Sequence, residues 1–302
     1  MTKTMTKRLL CGTPCAGAFM AIVLAGAASQ VGRAEKIVGT FNAYVDTDLC
    51  AHLMLGPLTD ARLTCSKSTH KQGSNSVLVR LGDGLVFDVN KNKMIDPLVS
   101  QVVSATGEIK AKDGNMKLSE VSPVPMDSIK PGSADYKLLD VRHFRLTGEG
   151  AKTYERVRHE LAMLPYVSEY DFISFTMADG NVILTGWTVR QTNRSSAYNV
   201  VKSLPGVDKV INNIEVLPLG SMDMQIRATV RATLQRFLPR YFWASGSAIK
   251  IVVKNGNIIL LGLVATQEDA TLATMQANSV PGAFKIFNML QVETKSGSKG
   301  SD

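Results

Sequence analysis

One decapeptide occurs twice in this chain, 76 positions apart. Residues 177–186 read Met-Ala-Asp-Gly-Asn-Val-Ile-Leu-Thr-Gly, and residues 253–262 read Val-Lys-Asn-Gly-Asn-Ile-Ile-Leu-Leu-Gly. The same offset carries Pro205 and Gly206 onto Pro281 and Gly282, Val210 onto Ile286, Asn212 onto Asn288 and Val216 onto Val292, so about 40 residues keep register without a gap. A repeat of that length is one folding unit used twice.

Each copy reads as a hairpin, a helix and a last strand. Ile173, Phe175 and Met177 alternate with polar or small residues, Asp179-Gly180-Asn181 supplies a turn that needs positive φ, and residues 182–185 return. Gly186 and Gly262 end the two hairpins. Ala197, Val200, Val201 and Leu204 recur at helical spacing, with Thr192 as N-cap and Pro205-Gly206 as the stop. The final strand runs from about Val207 to Leu217. Ahead of the hairpin lies another helix, in which Val157 and Leu161 match Val230 and Leu234 at an offset of 73. The second copy therefore carries three extra residues between its first helix and first strand.

This α-β-β-α-β unit resembles the BON domain, a small envelope domain that often occurs in tandem. The resemblance rests on the turn-and-strand segments ending at Gly186 and Gly262, on Pro-Gly-Val-Asp-Lys-Val-Ile-Asn at 205–212, and on its weaker twin at 281–288. The second copy departs from the pattern at Ala283, Phe284 and Met289, where the first has Val207, Asp208 and Asn213. The expected organisation is BON-like domain 1 at 151–217 and BON-like domain 2 at 222–294, followed by a disordered Ser, Gly and Lys tail at 295–302.

Residues 1–34 read as a secretory signal: Lys3, Lys7 and Arg8 precede an apolar run, and small residues offer cleavage sites. The alternative is an uncleaved helix anchored in the inner membrane. Removing this segment takes away Lys3, Lys7, Arg8 and Arg33 and lowers the formal charge from +8 to +4. That mild balance gives no support to nucleic acid as a partner.

Residues 35–122 have a different texture. Segments 37–44, 76–80, 85–89, 101–109 and 116–121 have strand composition, and the longest gap, between the first two, holds at most a helical turn near residues 60–71. Five such strands fit a small closed barrel. The run through Val38-Gly39-Thr40, Asp48, Cys50, Cys65, Gly73, Asp83-Gly84 and Ala105-Thr106-Gly107-Glu108-Ile109 resembles small periplasmic OB-type barrels. Residues 123–150, with Ser122-Pro123-Val124-Pro125 and Lys130-Pro131-Gly132-Ser133, read as a linker, in which 138–146 alternates weakly and could pair with either neighbour. The fold class is thus α+β: an OB-like β-barrel, then two α-β-β-α-β units.

Cys11 and Cys15 lie in the signal, leaving Cys50 and Cys65 as an even pair that points to a disulfide. Two alternatives stay open: a zinc site that adds His52 and His70, whose spacing fits no standard zinc motif, and unpaired thiols. No nucleophile, base and orienting acid recur together, and phosphate-binding glycine motifs are absent, so the reading is of a non-enzyme without cofactor.

What remains is binding. The BON resemblance implies a periplasmic envelope protein that supports envelope integrity and binds anionic phospholipid or a membrane surface through its second copy, with envelope proteins as further partners. The segment Arg-Phe-Leu-Pro-Arg-Tyr-Phe-Trp at 236–243 sits where the three extra residues fall. Phe237, Tyr241, Phe242 and Trp243 beside Arg236 and Arg240, extended by Arg227 and Arg231 on the preceding helix, combine aromatics suited to a headgroup region with charges that attract anionic lipid. The competing reading places these aromatics in the core of their own domain. The first copy has Met163-Leu164-Pro165-Tyr166-Val167 there and serves as an internal control. An alternative function is an OB-type ligand- or nucleic-acid-binding module with the repeats as scaffold, for which Phe41, Tyr44 and Phe87 are the candidate stacking aromatics.

Overall fold

The computed structural model describes residues 36–293, except 54–56, 91, 111–114, 132, 137–138, 140–145 and 244–245. The expected signal, the tail and nearly all of 138–146 lie outside the described residues.

The first strand, β1 (Lys36–Thr47), is 12 residues long, enough to pair with two neighbours at once. It runs antiparallel to β2 (Ser76–Arg80) through its C-terminal half and to β4 (Val102–Lys110) along most of its length. With β3 (Val86–Val89) and β5 (Asn115–Pro123) the sheet closes into a five-stranded barrel of order β1-β2-β3-β5-β4, whose one parallel contact is β3 to β5. Alternation along the strands divides the side chains. Ala43, Val45, Leu78, Phe87 and Val103 fill the interior together with Ile95 of the one-turn helix α3 (Asn92–Ile95), and Tyr44, Val77, Val79 and Val102 point outward into a second cluster.

The gap between β1 and β2 holds two helices, α1 (Asp48–Leu53) and α2 (Asp60–Lys71), where the sequence promised a turn. Thr59 caps α2 by accepting from Arg62 N. Cys50 of α1 is bonded to Cys65 of α2, with the Cα atoms 6.0 Å apart. Beneath α2 the Arg62 guanidinium meets Asp46 at 2.8 Å, both side chains fully buried, and Ser66 donates to the same carboxylate.

The two repeats have one topology. In the first, α4 (Glu149–Ala162) precedes the hairpin β6 (Phe172–Ala178) and β7 (Asn181–Thr188); then come α5 (Gln191–Lys202) and a last strand in two pieces, β8 (Lys209–Asn212) and β9 (Glu215–Val216), both parallel to β7. In the second, α6 (Ser221–Phe237) leads through a 3-10 turn at Pro239–Tyr241 into a two-stranded ribbon, β10 (Phe242–Trp243) with β11 (Gly246–Ser247). β12 (Ile249–Lys254), β13 (Asn257–Val264), α7 (Gln267–Asn278) and β14 (Lys285–Val292) follow, and the sheet order is β12-β13-β14. The ribbon is where the three extra residues go.

The repeated residues have shared physical reasons. Both hairpin turns place two residues at positive φ: Asp179 and Gly180 at 49° and 74°, Asn255 and Gly256 at 52° and 74°. Gly186 and Gly262, at φ 113° and 116°, pass so close to the neighbouring strand that a Cβ would lie 1.9 Å from the carbonyl oxygen of Phe172 or Ala248. Asn212 donates to Arg194 O and accepts from Ile214 N, and Asn288 donates to Ala270 O and accepts from Leu290 N. One amide thus ties the last strand to the preceding helix and occupies an N–H on that strand, which blunts it as a pairing edge.

Two local expectations need correction. Thr192 lies inside α5, whose N-cap residue is Arg190 and makes no side-chain cap; the equivalent Thr266 caps α7 by accepting from Asp269 N at 3.2 Å. The last strand of the first repeat breaks at Asn213, whose amide turns away to donate to Gly84 O in the barrel.

Both repeats bury the two faces of their sheets. One face packs on the repeat's own helices. The other meets its neighbours: Ile183 and Ile211 join the outward cluster of the barrel, and Trp187 and Leu217 join Leu49 of α1 and Val252, Ile259, Leu261 and Phe287 of the second repeat. The consecutive apolar residues 182–184 and 258–261 are the sequence mark of strands covered on both sides.

Candidate functional site

The segment predicted to meet lipid divides in two. Arg227 turns inward, where its Nη2 donates to Val253 O at 2.7 Å and Pro218 O at 3.2 Å. Tyr241 is buried, donates from its hydroxyl to Asp269 at 2.6 Å and accepts from Ala265 N. Phe242 is half-buried against the core of its own repeat. Arg231 is ion-paired with Glu169 of the first repeat. Arg227 and Tyr241 are therefore structural, and Arg231 joins the two repeats; the helical spacing that put Arg227 and Arg231 on one face could not show that this face is covered. The residues presented outward are Arg236, Phe237, Arg240 and Trp243. Phe237 is 46% exposed with the Arg236 guanidinium 5.7 Å from its ring, and Trp243 is 61% exposed on the ribbon. Arg240 extends outward from an ion pair with Asp269, which also binds Thr266 and Tyr241 and so fixes the ribbon to the start of α7.

A second constellation escaped the sequence reading. Lys254 on β12 reaches into the seam between the three units, where its Nζ lies 2.8 Å from Asp48 Oδ2 on α1 and 2.8 Å from Glu215 Oε1 on β9. His52, one turn on from Asp48, donates from Nδ1 to the Asp48 carbonyl at 2.8 Å and stacks on Trp187 at 4.9 Å between centroids. Trp187 Nε1 donates to Glu215 Oε2, and Thr185 donates to His52 O. Burial opposes charge on Asp48, but Lys254 and His52 outweigh it and hold the carboxyl far below its ordinary range. Burial likewise opposes a charged Lys254, and Asp48 and Glu215 more than reverse this. For His52 burial is again overcome, by the hydrogen bond and charge of Asp48 and by Glu215, so its pKa lies above 6.5. Glu215 is raised by burial and by the charge of Asp48. The signal that marks this seam is Lys254 itself, which stands where the first repeat has Ala178.

Asp48, His52 and Glu215 place one ligand atom each within 4.8 Å of one another, a set that suits a divalent cation. The Lys254 ammonium occupies the point between the carboxylates, so these residues as arranged hold a built-in cation. The zinc alternative on Cys50, His52, Cys65 and His70 falls with the disulfide, which takes both sulfurs. In the barrel, Tyr44 and Phe87 are buried and Phe41 is half-buried against Phe87 at 5.2 Å, so these three form no exposed stacking platform.

A closed five-stranded barrel followed by two α-β-β-α-β units, with an aromatic and basic outcrop on the second, defines a multidomain α+β protein. Residues 151–218 and 227–294 match the BON domain, so the chain carries two BON domains in tandem, and the BON domain points to the periplasm or cell envelope. None of the curated proteins matches the chain. Solved structures that match include the C-terminal domain of CdsD, the structural protein of the type III secretion system of Chlamydia trachomatis: 11% identity over 46% of this chain and 96% of that one, with a TM-score of 0.20. A second CdsD structure matches at 11% identity, 47% and 92% coverage and a TM-score of 0.19. Among the described residues no helix is long and apolar enough to cross a membrane.

Proposed function

We propose that the chain is a non-enzymatic periplasmic envelope protein that supports envelope integrity by docking on anionic phospholipid through its second BON domain. The observation that carries this is the outward display of Phe237 and Trp243 beside Arg236 and Arg240. Two large aromatics held in water lose free energy when their exposed apolar area is removed, at about 25 cal/mol per Å². The indole and guanidinium groups suit the headgroup layer, where anionic lipid adds about 1 kcal/mol per nearby basic side chain. The barrel and first repeat brace the second through the Lys254 seam, so the outcrop is presented on a stiff support. Flotation with vesicles containing phosphatidylglycerol tests the reading: the full chain floats, and Phe237→Ser with Trp243→Ser loses flotation while keeping its melting temperature. A double variant that floats like the parent chain contradicts it, as does one that loses stability in step with binding.

A further inference from the structure

The equivalent loop of the first repeat is also displayed. Met163 is 67% exposed and Tyr166 is 76% exposed, with Val167 exposed beside them. Tyr166 holds φ at 64°, a conformation that a bulky residue rarely adopts. Its carbonyl accepts from Asn193, and the Arg190 guanidinium lies 6.0 Å from its ring. The loop is fixed from below: Leu164 is buried, and Asp171, also buried, accepts from Ser168 N and Oγ and from Thr188 and Val189. An aromatic ring is thus held out in water on a rigid base.

The base of this loop is anchored on the second repeat. Ile251 N donates to Glu169 O at 2.7 Å, and Lys250 Nζ donates to Ser168 O at 3.1 Å. β12 follows the Trp243 ribbon through Ala248, and Ser168 follows Tyr166 and Val167 in the loop. On the other side Glu169 is clamped to Arg231, six residues before Phe237 on α6, about 9 Å along the axis. The first-repeat loop is therefore tied to α6 and β12, the two elements that lead into and out of the ribbon. Charge there favours an anion: Arg190 and Arg236 have no carboxylate partner among the described residues, Arg240 is matched by Asp269, and Glu268 is an exposed acid at the start of α7.

We infer that the two BON domains form one composite membrane-docking surface, in which Met163 and Tyr166 of the first repeat enter the same phospholipid leaflet as Phe237 and Trp243 of the second. This rests on the phospholipid reading above and extends it: recognition belongs to the fixed pair of repeats. The test is flotation of the full chain with vesicles of phosphatidylglycerol in phosphatidylcholine. Met163→Ser with Tyr166→Asn, asparagine tolerating positive φ, lowers the partition coefficient about fivefold or more at unchanged melting temperature. In a Trp243→Phe chain, Tyr166→Trp gives a tryptophan that brominated phosphatidylglycerol quenches, which supports the inference without relying on loss of function. Parent-like binding by the Met163/Tyr166 variant, with loss only in the Phe237/Trp243 variant, overturns the composite surface and leaves the second-domain reading standing. A parent chain that does not float overturns both. A dimer that the Tyr166 substitution dissociates overturns it in favour of a second copy as the occupant.

Discussion

Lys254 shows how much one substitution between otherwise equivalent strands can do. At the matching place the first repeat carries Ala178, and nothing in helical or strand periodicity sets the lysine apart from a solvated charge. Its meaning depends on Asp48 and Glu215, which lie 206 and 39 residues away in sequence. Removing one partner of a buried ion pair strands the others, so Lys254→Met lowers stability by about 3–5 kcal/mol in urea denaturation; a loss under 1 kcal/mol contradicts the assignment. His52 adds a pH dependence whose sign follows from its raised pKa. Its contribution is complete below 6.5 and is lost as pH rises through the folded value. Asp48 contributes above 3.8 and fades as pH falls, so the seam is tightest between about pH 4 and 6.5. Comparing urea midpoints at pH 5.5 and 8, His52→Gln flattens the difference; an unchanged difference assigns it to other groups.

The elements themselves were largely legible, because their causes are local. Turn glycines and periodicity gave the hairpins, the helices of both repeats and the five barrel strands. Gly262 is the sharpest case, since its φ of 116° and the 1.9 Å approach to Ala248 O leave no room for a side chain. Gly262→Ala therefore costs about 3 kcal/mol or more by calorimetry, whereas the same exchange inside a helix stabilises by roughly 0.5–1 kcal/mol. A cost under about 1 kcal/mol contradicts the close approach. The helix α1 was not legible: six residues make a marginal helix in isolation, and this one is held by the disulfide to α2 and by Lys254. The ribbon β10-β11 was equally hidden, its aromatics reading as core or as surface until Tyr241 is seen to bury and Trp243 to protrude. Divergence between the copies carried information the repeat did not: Asn213 reaches the barrel where Met289 joins the seam cluster.

At the scale of the whole molecule the repeats are not beads on a string. Each sheet is buried on its second face by another unit, and Glu169, Ser168 and Tyr170 of the first repeat cover the edge strand and helix of the second. This arrangement was invisible in the sequence because the faces involved differ between copies, whereas a repeat advertises only what the copies share. Tyr166, Phe237 and Trp243 stay exposed at the helix-to-strand loops. Trp243 is exposed and Trp187 is fully buried, and the chain has no other tryptophan. That contrast makes intrinsic fluorescence the most direct test of phospholipid docking. On adding vesicles of brominated phosphatidylglycerol, emission from Trp243 is quenched while that from Trp187 is spared, and Trp243→Phe abolishes the response. Emission that does not change on adding these vesicles, or quenching that persists in Trp243→Phe, contradicts docking through the second BON domain.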